Sequence, residues 1–291
     1  MMRLVLATVV SIPLGLDLYL PAPPTNPLTA ERIEQGRRLF FDRRLSRDES
    51  TSCASCHDPR LSFSDGRSVA VGVFGRTGRR NTPAIINRGY GRLFFWDGRA
   101  RSLEEQVLKP IQDPNEMDLS LTEAEARVGL PADDISRALA SYVRSILSGN
   151  SAFDRFVNGD RSALSKDEQQ GLEIFRGKGN CSACHVGPTF TDERLHNTGV
   201  AWNGETLIDS GAGHGEFKTP TLRDVVRTAP YMHDGRFATL ASVIDFYDRG
   251  GRANPNLDPE IRPLRLTDDE KLALMRFLGT LSGQGSAPAR E

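Results

Sequence analysis

Two stretches of this chain carry apolar residues at helical spacing behind an acidic first turn: DDISRALASYVRSI from Asp133 and DDEKLALMRFLGTL from Asp268. Acidic residues favour that end because aligned peptide dipoles leave partial positive charge there. The i, i+3, i+4 recurrence then gathers the apolar set onto one face. EQGRRLF (34–40) and QQGLEIF (169–175) predict two further short amphipathic helices. No segment alternates apolar and polar with the sustained period of two that a sheet needs, while helical patterns and Gly/Pro-rich loops alternate throughout. The predicted class is mostly α.

The pattern occurs twice. NTPAIIN (81–87) and WDGRARSL (96–103) are echoed by KTPTLRD (218–224) and HDGRFATL (233–240), in the same order between the same predicted helices. An ordered repeat predicts two homologous modules, residues 17–155 and 156–291, joined in the small and polar stretch 148–165. Ahead of them the apolar run LVLATVVSIPLGL (4–16) follows Arg3. It is short for a bilayer span and suits the h-region of a secretory signal. Residues 1–16 are therefore expected to be a signal peptide or, lacking a clear A-x-A site, an uncleaved anchor, with the protein exported to the periplasm. With 37 Lys+Arg against 38 Asp+Glu, a net charge of −1 gives no reason to expect nucleic acid as a partner.

The candidate chemistry lies in CASCH (53–57) and CSACH (181–185). A lone CxxC also suits a redox or zinc site, but two pairs so far apart are badly spaced for one zinc knuckle. Histidine directly after each pair is the attachment signature of c-type haem. Cys53, Cys56, Cys181 and Cys184 are thus expected to hold two haems covalently, leaving no cysteine for a disulfide, with His57 and His185 binding the irons from one side. What stands on the other side decides between electron carriage and catalysis. Aligning WDGR on HDGR matches Trp96 with His233, Gln106 with Val243 and Pro110 with Tyr247. Ser102 and Glu105 form a capping-box pattern, and residues four apart share a helix face. If that face looks at the iron, one haem receives a phenol and the other a proline, which has no ligating side-chain atom. Met232, His233, Met275 and Met117 compete as sixth ligands. Met275 reads better as core, and His233, standing where Trp96 stands in the repeat, reads as a haem-edge contact. His196 and His214 read as structural or exposed, and Asp97–Arg99 and Asp234–Arg236 as turn pairs. Taken alone, Glu116 is a solvated loop acid, Trp96 a core aromatic and Tyr247 a packed phenol.

The set CASCH, RNTP, FFWDGRARSLEEQ, PNEM, CSACH, FKTPTLR and TAPYMHDG resembles the bacterial di-haem cytochrome c peroxidases, from about Asp17 to near the C-terminus. The resemblance implies a peroxidatic N-terminal haem and Trp96 between the haems. It places Gln106, Pro110 and Glu116 around a peroxide pocket, and a calcium ion at Asn81, Thr228 and Pro230. Hard oxygen donors suit calcium. Two departures stand out. Where many of these peroxidases carry a distal histidine, this chain has Val73. Where they carry methionine on the second haem, it has Tyr247, which looks like the MauG-like subgroup, whose founding member oxidises tryptophans of a partner protein. The expected activity is reduction of hydrogen peroxide at an open N-terminal haem, with electrons entering through the C-terminal haem from a cytochrome c or cupredoxin. The alternatives are a maturase oxidising aromatic side chains of a protein substrate, and a di-haem cytochrome that only transfers electrons. A membrane anchor and a homodimer stay compatible with the sequence.

Overall fold

The computed structural model describes residues 9–285, so positions 1–8 of the expected signal segment lie outside it. In chain order the helices are α1 (Ala30–Phe41), α2 (Cys53–Cys56), α3 (Leu103–Gln106), α4 (Lys109–Gln112), α5 (Leu121–Val128), α6 (Ala132–Ser145), α7 (Ala152–Val157), α8 (Lys166–Arg176), α9 (Leu240–Asp248) and α10 (Asp268–Gly279). Among the described residues, strands are confined to two antiparallel ladders of two residues each. Ser148–Gly149 pairs with Gln284–Gly285, and Leu195–His196 with Phe217–Lys218. The expected helical class matches this architecture.

Each of the four periodic stretches forms a helix, and they pack as two pairs, α1 on α6 and α8 on α10. Glycine allows both crossings. A Cβ on Gly36 would come within 1.9 Å of the Ala138 carbonyl oxygen, and one on Gly171 within 2.0 Å of that of Ala273. Around the first crossing Leu39, Phe40, Ile135, Leu139 and Tyr142 form one core; Leu172, Phe175, Leu274, Phe277 and Leu281 form another around the second. Phe153 of α7 joins the second core, so the expected boundary at 155/156 runs through a helix.

The expected single helix over Gln106 and Pro110 differs from the structure. It is broken into α3 and α4, because Pro110 in the first turn of α4 has no N–H to continue an i→i−4 ladder. The capping box there is also incomplete. Ser102 Oγ accepts from Glu105 N at 3.1 Å, but the Glu105 carboxylate accepts from Arg101 N instead of reaching back to Ser102. In the second half the matching α9 runs unbroken from a Thr239 cap.

The halves are joined by half-buried charge pairs. Arg88 reaches Glu193 at 2.7 Å, and Arg80 bridges Asp97 at 2.6 Å and Asp209 at 2.7 Å. Gly235, at φ +63°, sits where a Cβ would come within 2.4 Å of Ser68 Cα. The end of the apolar run and the residue after it lie across both halves. Leu14 O accepts from Asn150 N, Gly15 O from Arg223 Nη2, and Asp17 O from the Tyr90 hydroxyl. Among the described residues no helix is long and apolar enough to cross a membrane.

Candidate functional site

A single cavity of ≈ 1290 Å³ runs through both halves and reaches both CxxCH motifs. It exceeds the roughly 300–1,000 Å³ of one ordinary small-molecule pocket. Its walls carry His57 with Gln106, Pro110 and Glu116 in the first half, and His185 with Val243 and Tyr247 in the second. Although α3 and α4 are separate helices, Gln106 and Pro110 still meet on this wall.

Both motif histidines are anchored alike. His57 Nδ1 pairs with the Phe63 carbonyl at 3.0 Å, and His185 Nδ1 with that of Phe190 at 2.9 Å. A carbonyl partner makes Nδ1 the protonated nitrogen and leaves the Nε2 lone pair for a metal. Burial lowers both pKa values, that of His185 to about 4, which keeps the rings neutral as ligation requires. The two acceptors share an unusual backbone, Phe63 at φ 58° and Phe190 at φ 53°, a left-handed conformation that costs a bulky residue energy. These phenylalanines were missed in the sequence, yet a signal existed: SFSD (62–65) and TFTD (189–192) are a further echo of the repeat.

Beyond the histidines the halves diverge. Burial and the nearby Asp113 carboxylate push the Glu116 pKa up to about 7, against the opposing pull of Arg99. Glu116 lies close enough to Cys53 and Cys56 to influence both thiols electrostatically. Its backbone is clamped: Glu116 N donates to Asp113 O at 3.0 Å, and Val73 N donates to Glu116 O at 2.9 Å. Val73 is fully buried, so this segment backs the acid. Opposite, burial pushes the Tyr247 phenol up to about 12, with Thr198 as hydrogen-bond partner and Cys184 and Cys181 as electrostatic neighbours.

Between the halves Trp96 Nε1 donates to Asn81 O at 2.8 Å, Lys218 N to Trp96 O at 2.7 Å and Asn81 N to His233 O at 2.7 Å. Asn81, Thr228 and Pro230 line the same cavity, and Asn81 Nδ2 donates to Arg67 O. His196 is half-buried between Asp258 (2.5 Å) and Asp192 (2.9 Å), with Cys184 Sγ at 3.9 Å. The sulfur and the two carboxylates raise its pKa to about 10. His214 is exposed, Met117 and Met275 pack in the two cores, and Met232 lines the cavity. Lys218 opens the KTPTLRD echo but was not singled out as a site residue: buried on the cavity wall, its pKa is lowered to about 7 by burial and by Arg88.

The family described as di-haem cytochrome c peroxidase matches residues 30–162. The methylamine utilization protein MauG of Methylorubrum extorquens is 39% identical, over 92% of this chain and 82% of its own length. The cytochrome-c peroxidase IdrP2 of Denitromonas iodatirespirans is 36% identical, over 90% and 84%. Among solved structures, a MauG-like protein associated with microbial copper homeostasis superposes with a TM-score of 0.83 at 32% identity, covering 92% of this chain and 94% of that one.

Proposed function

Because the chain belongs to the di-haem cytochrome c peroxidase family, we propose that it is a periplasmic peroxidase made of two duplicated cytochrome-c-like domains, reducing hydrogen peroxide at an open site in its first half. Members of this family are oxidoreductases that act on peroxide and carry two haems. Cys53 and Cys56, and Cys181 and Cys184, would hold those haems through thioether bonds, with His57 and His185 as iron ligands. The donor set fits: two neutral imidazoles with Nε2 free, four unpaired cysteines and one cavity shared by both motifs. When bound, haem supplies the redox-active iron at which peroxide is reduced.

The chain's own residues do the rest. Pro110 offers no ligating atom on the wall where the second half presents Tyr247, and so leaves room for peroxide. Gln106 orients it by hydrogen bonding. The Glu116 carboxylate takes the proton from the inner peroxide oxygen and delivers it to the outer one, which leaves as water. Two electrons and two protons complete the conversion of one peroxide to two waters. The electrons come from a small donor protein by way of the second half, with Trp96 as the bridge. Tyr247 would be a ligand to the second iron, and an oxygen donor would favour the oxidised metal. A calcium ion at the seam would use Asn81 Oδ1 and the carbonyls of Thr228 and Pro230, hard donors suited to it.

The single observation that carries this reading is Glu116, a carboxyl group raised to about 7 in a cavity it shares with His57 and Pro110. An acid-base group works best with its pKa near the working pH. Electron paramagnetic resonance of the resting protein tests it. One high-spin and one low-spin ferric signal, the former lost on adding peroxide, are expected; two low-spin signals indifferent to peroxide would leave only electron transfer. The maturase alternative rests on Tyr247 and on the similarity to proteins named MauG. It predicts a modified aromatic side chain in a co-expressed partner and poor turnover with small donors.

A further inference from the structure

His233 ends in a nitrogen with nothing to bond. The residue is 3% exposed, it lines the cavity, and its Nε2 has no hydrogen-bond partner among the described residues. Buried polar atoms are paired in the great majority of cases, so an orphan on a residue that lines a cavity marks a position for a ligand.

The ring is held rigidly. It stacks on Phe217 with centroids 3.7 Å apart and planes 9° from parallel, and the Arg80 guanidinium lies 5.4 Å from the centre of the Phe217 ring. The backbone is held too, in a circuit that crosses both halves. The Trp96 indole donates to Asn81 O, Asn81 N donates to His233 O, His233 stacks on Phe217, and Lys218, the next residue, donates its N–H back to Trp96 O. His233 therefore cannot move without moving Trp96. Burial lowers its pKa and keeps the ring neutral, although Asp234 and Asp209 lie near enough to pull the other way.

We propose that His233 donates a hydrogen bond from Nε2 to a haem propionate at the seam between the halves, and so positions that haem against Trp96. This rests on the two-haem reading above. The ligand class follows by elimination. On that reading the irons would belong to His57 and His185, and Gln106, Pro110, Val243 and Tyr247 line the cavity with them. The carboxylates are the only strongly polar groups at a haem's edge, and a neutral imidazole N–H is a donor suited to them.

His233→Phe retains a ring to stack on Phe217 and removes the donor. The purified variant should keep two haems by pyridine haemochromogen assay. One midpoint potential should fall, because an unpaired propionate charge favours ferric iron. The expected change is about tenfold in the ferric-to-ferrous ratio at fixed potential, equivalent to 59 mV for one electron. The propionate-bending band in resonance Raman should shift, and His233→Asn, which keeps a donor, should restore part of both changes. Unchanged potentials and an unchanged band would overturn the proposal. If neither variant accumulates, a crystal structure of the haem-loaded wild type decides: Nε2 within about 3.2 Å of a propionate oxygen upholds it, and Nε2 on iron or bonded only to water overturns it. A wild-type protein with fewer than two haems would fail the underlying two-haem reading instead, and the haem count separates the two failures.

Discussion

The two halves hold their motif histidines in the same way and furnish the space beyond them differently. His57 and His185 each pair Nδ1 with the carbonyl of a left-handed phenylalanine, and each half rests on a helix crossing tight enough to require glycine. On the facing wall one half breaks its helix at Pro110 and adds a perturbed acid, Glu116; the other keeps α9 continuous and presents Tyr247. A repeated scaffold thus carries a difference confined to a few side chains. Proline interrupts the α3–α4 ladder and, on the function proposed above, also withholds a ligand.

The largest blow to this asymmetry should come from Glu116→Gln. Peroxide turnover should fall by roughly 10²–10⁴-fold with both haems retained, since that is the usual cost of losing an acid-base group. Stopped-flow kinetics on the haem-loaded variant reads it, and a rate near wild type would remove Glu116 from the chemistry. Pro110→Tyr copies the second half onto the first. It should convert the high-spin signal to low spin and slow peroxide binding by about a hundredfold, as a ligand closes the open position. A persistent high-spin signal would show that residue 110 does not face the iron.

The shared scaffold should respond alike on both sides. Gly36→Ala and Gly171→Ala each push a methyl group into a backbone carbonyl, at 1.9 and 2.0 Å. Each should cost about 1–3 kcal/mol in chemical denaturation, the usual range for overpacking. A large cost at one site and none at the other would break the equivalence of the crossings. The mildest test is pH. A carboxylate that must accept a proton gives a peroxide rate rising with pH through about 7, the value to which burial and Asp113 bring Glu116. Asp113→Asn removes one cause of that elevation, so the profile should move to lower pH and the rate at pH 6 should rise a few-fold. The same raised pKa stabilises the fold below the ordinary carboxylate range, and this contribution is lost as pH rises through about 7. Equilibrium unfolding of wild type against Glu116→Gln isolates it.

Much of this was legible in one dimension because it is written in short periodic or covalent patterns. Helical spacing and acidic first turns located α1, α6, α8 and α10, and two CxxCH stretches marked the motif histidines. The match of Pro110 to Tyr247 was likewise a matter of counting along a repeat. The break between Gln106 and Pro110 was legible too, since proline cannot continue the ladder, but counting equal steps along the repeat carried one helix through it. The chain alone put Lys218 at the head of KTPTLRD without marking it as a site residue, and it made Glu116 a solvated acid until the fold half-buried it. His196, read as structural or exposed, gained two carboxylate neighbours, one of them 62 residues away.

What the sequence determined by itself was therefore the helical class, the duplicated order of motifs and the chemical identity of the candidate ligands, all of which depend on neighbours within a few residues. What only the tertiary structure decided was which side chains share one cavity, which acids are perturbed and which nitrogen is left without a partner. Those properties depend on burial and on groups that folding brings together, whether near or far in the chain, because desolvation and charge act through space.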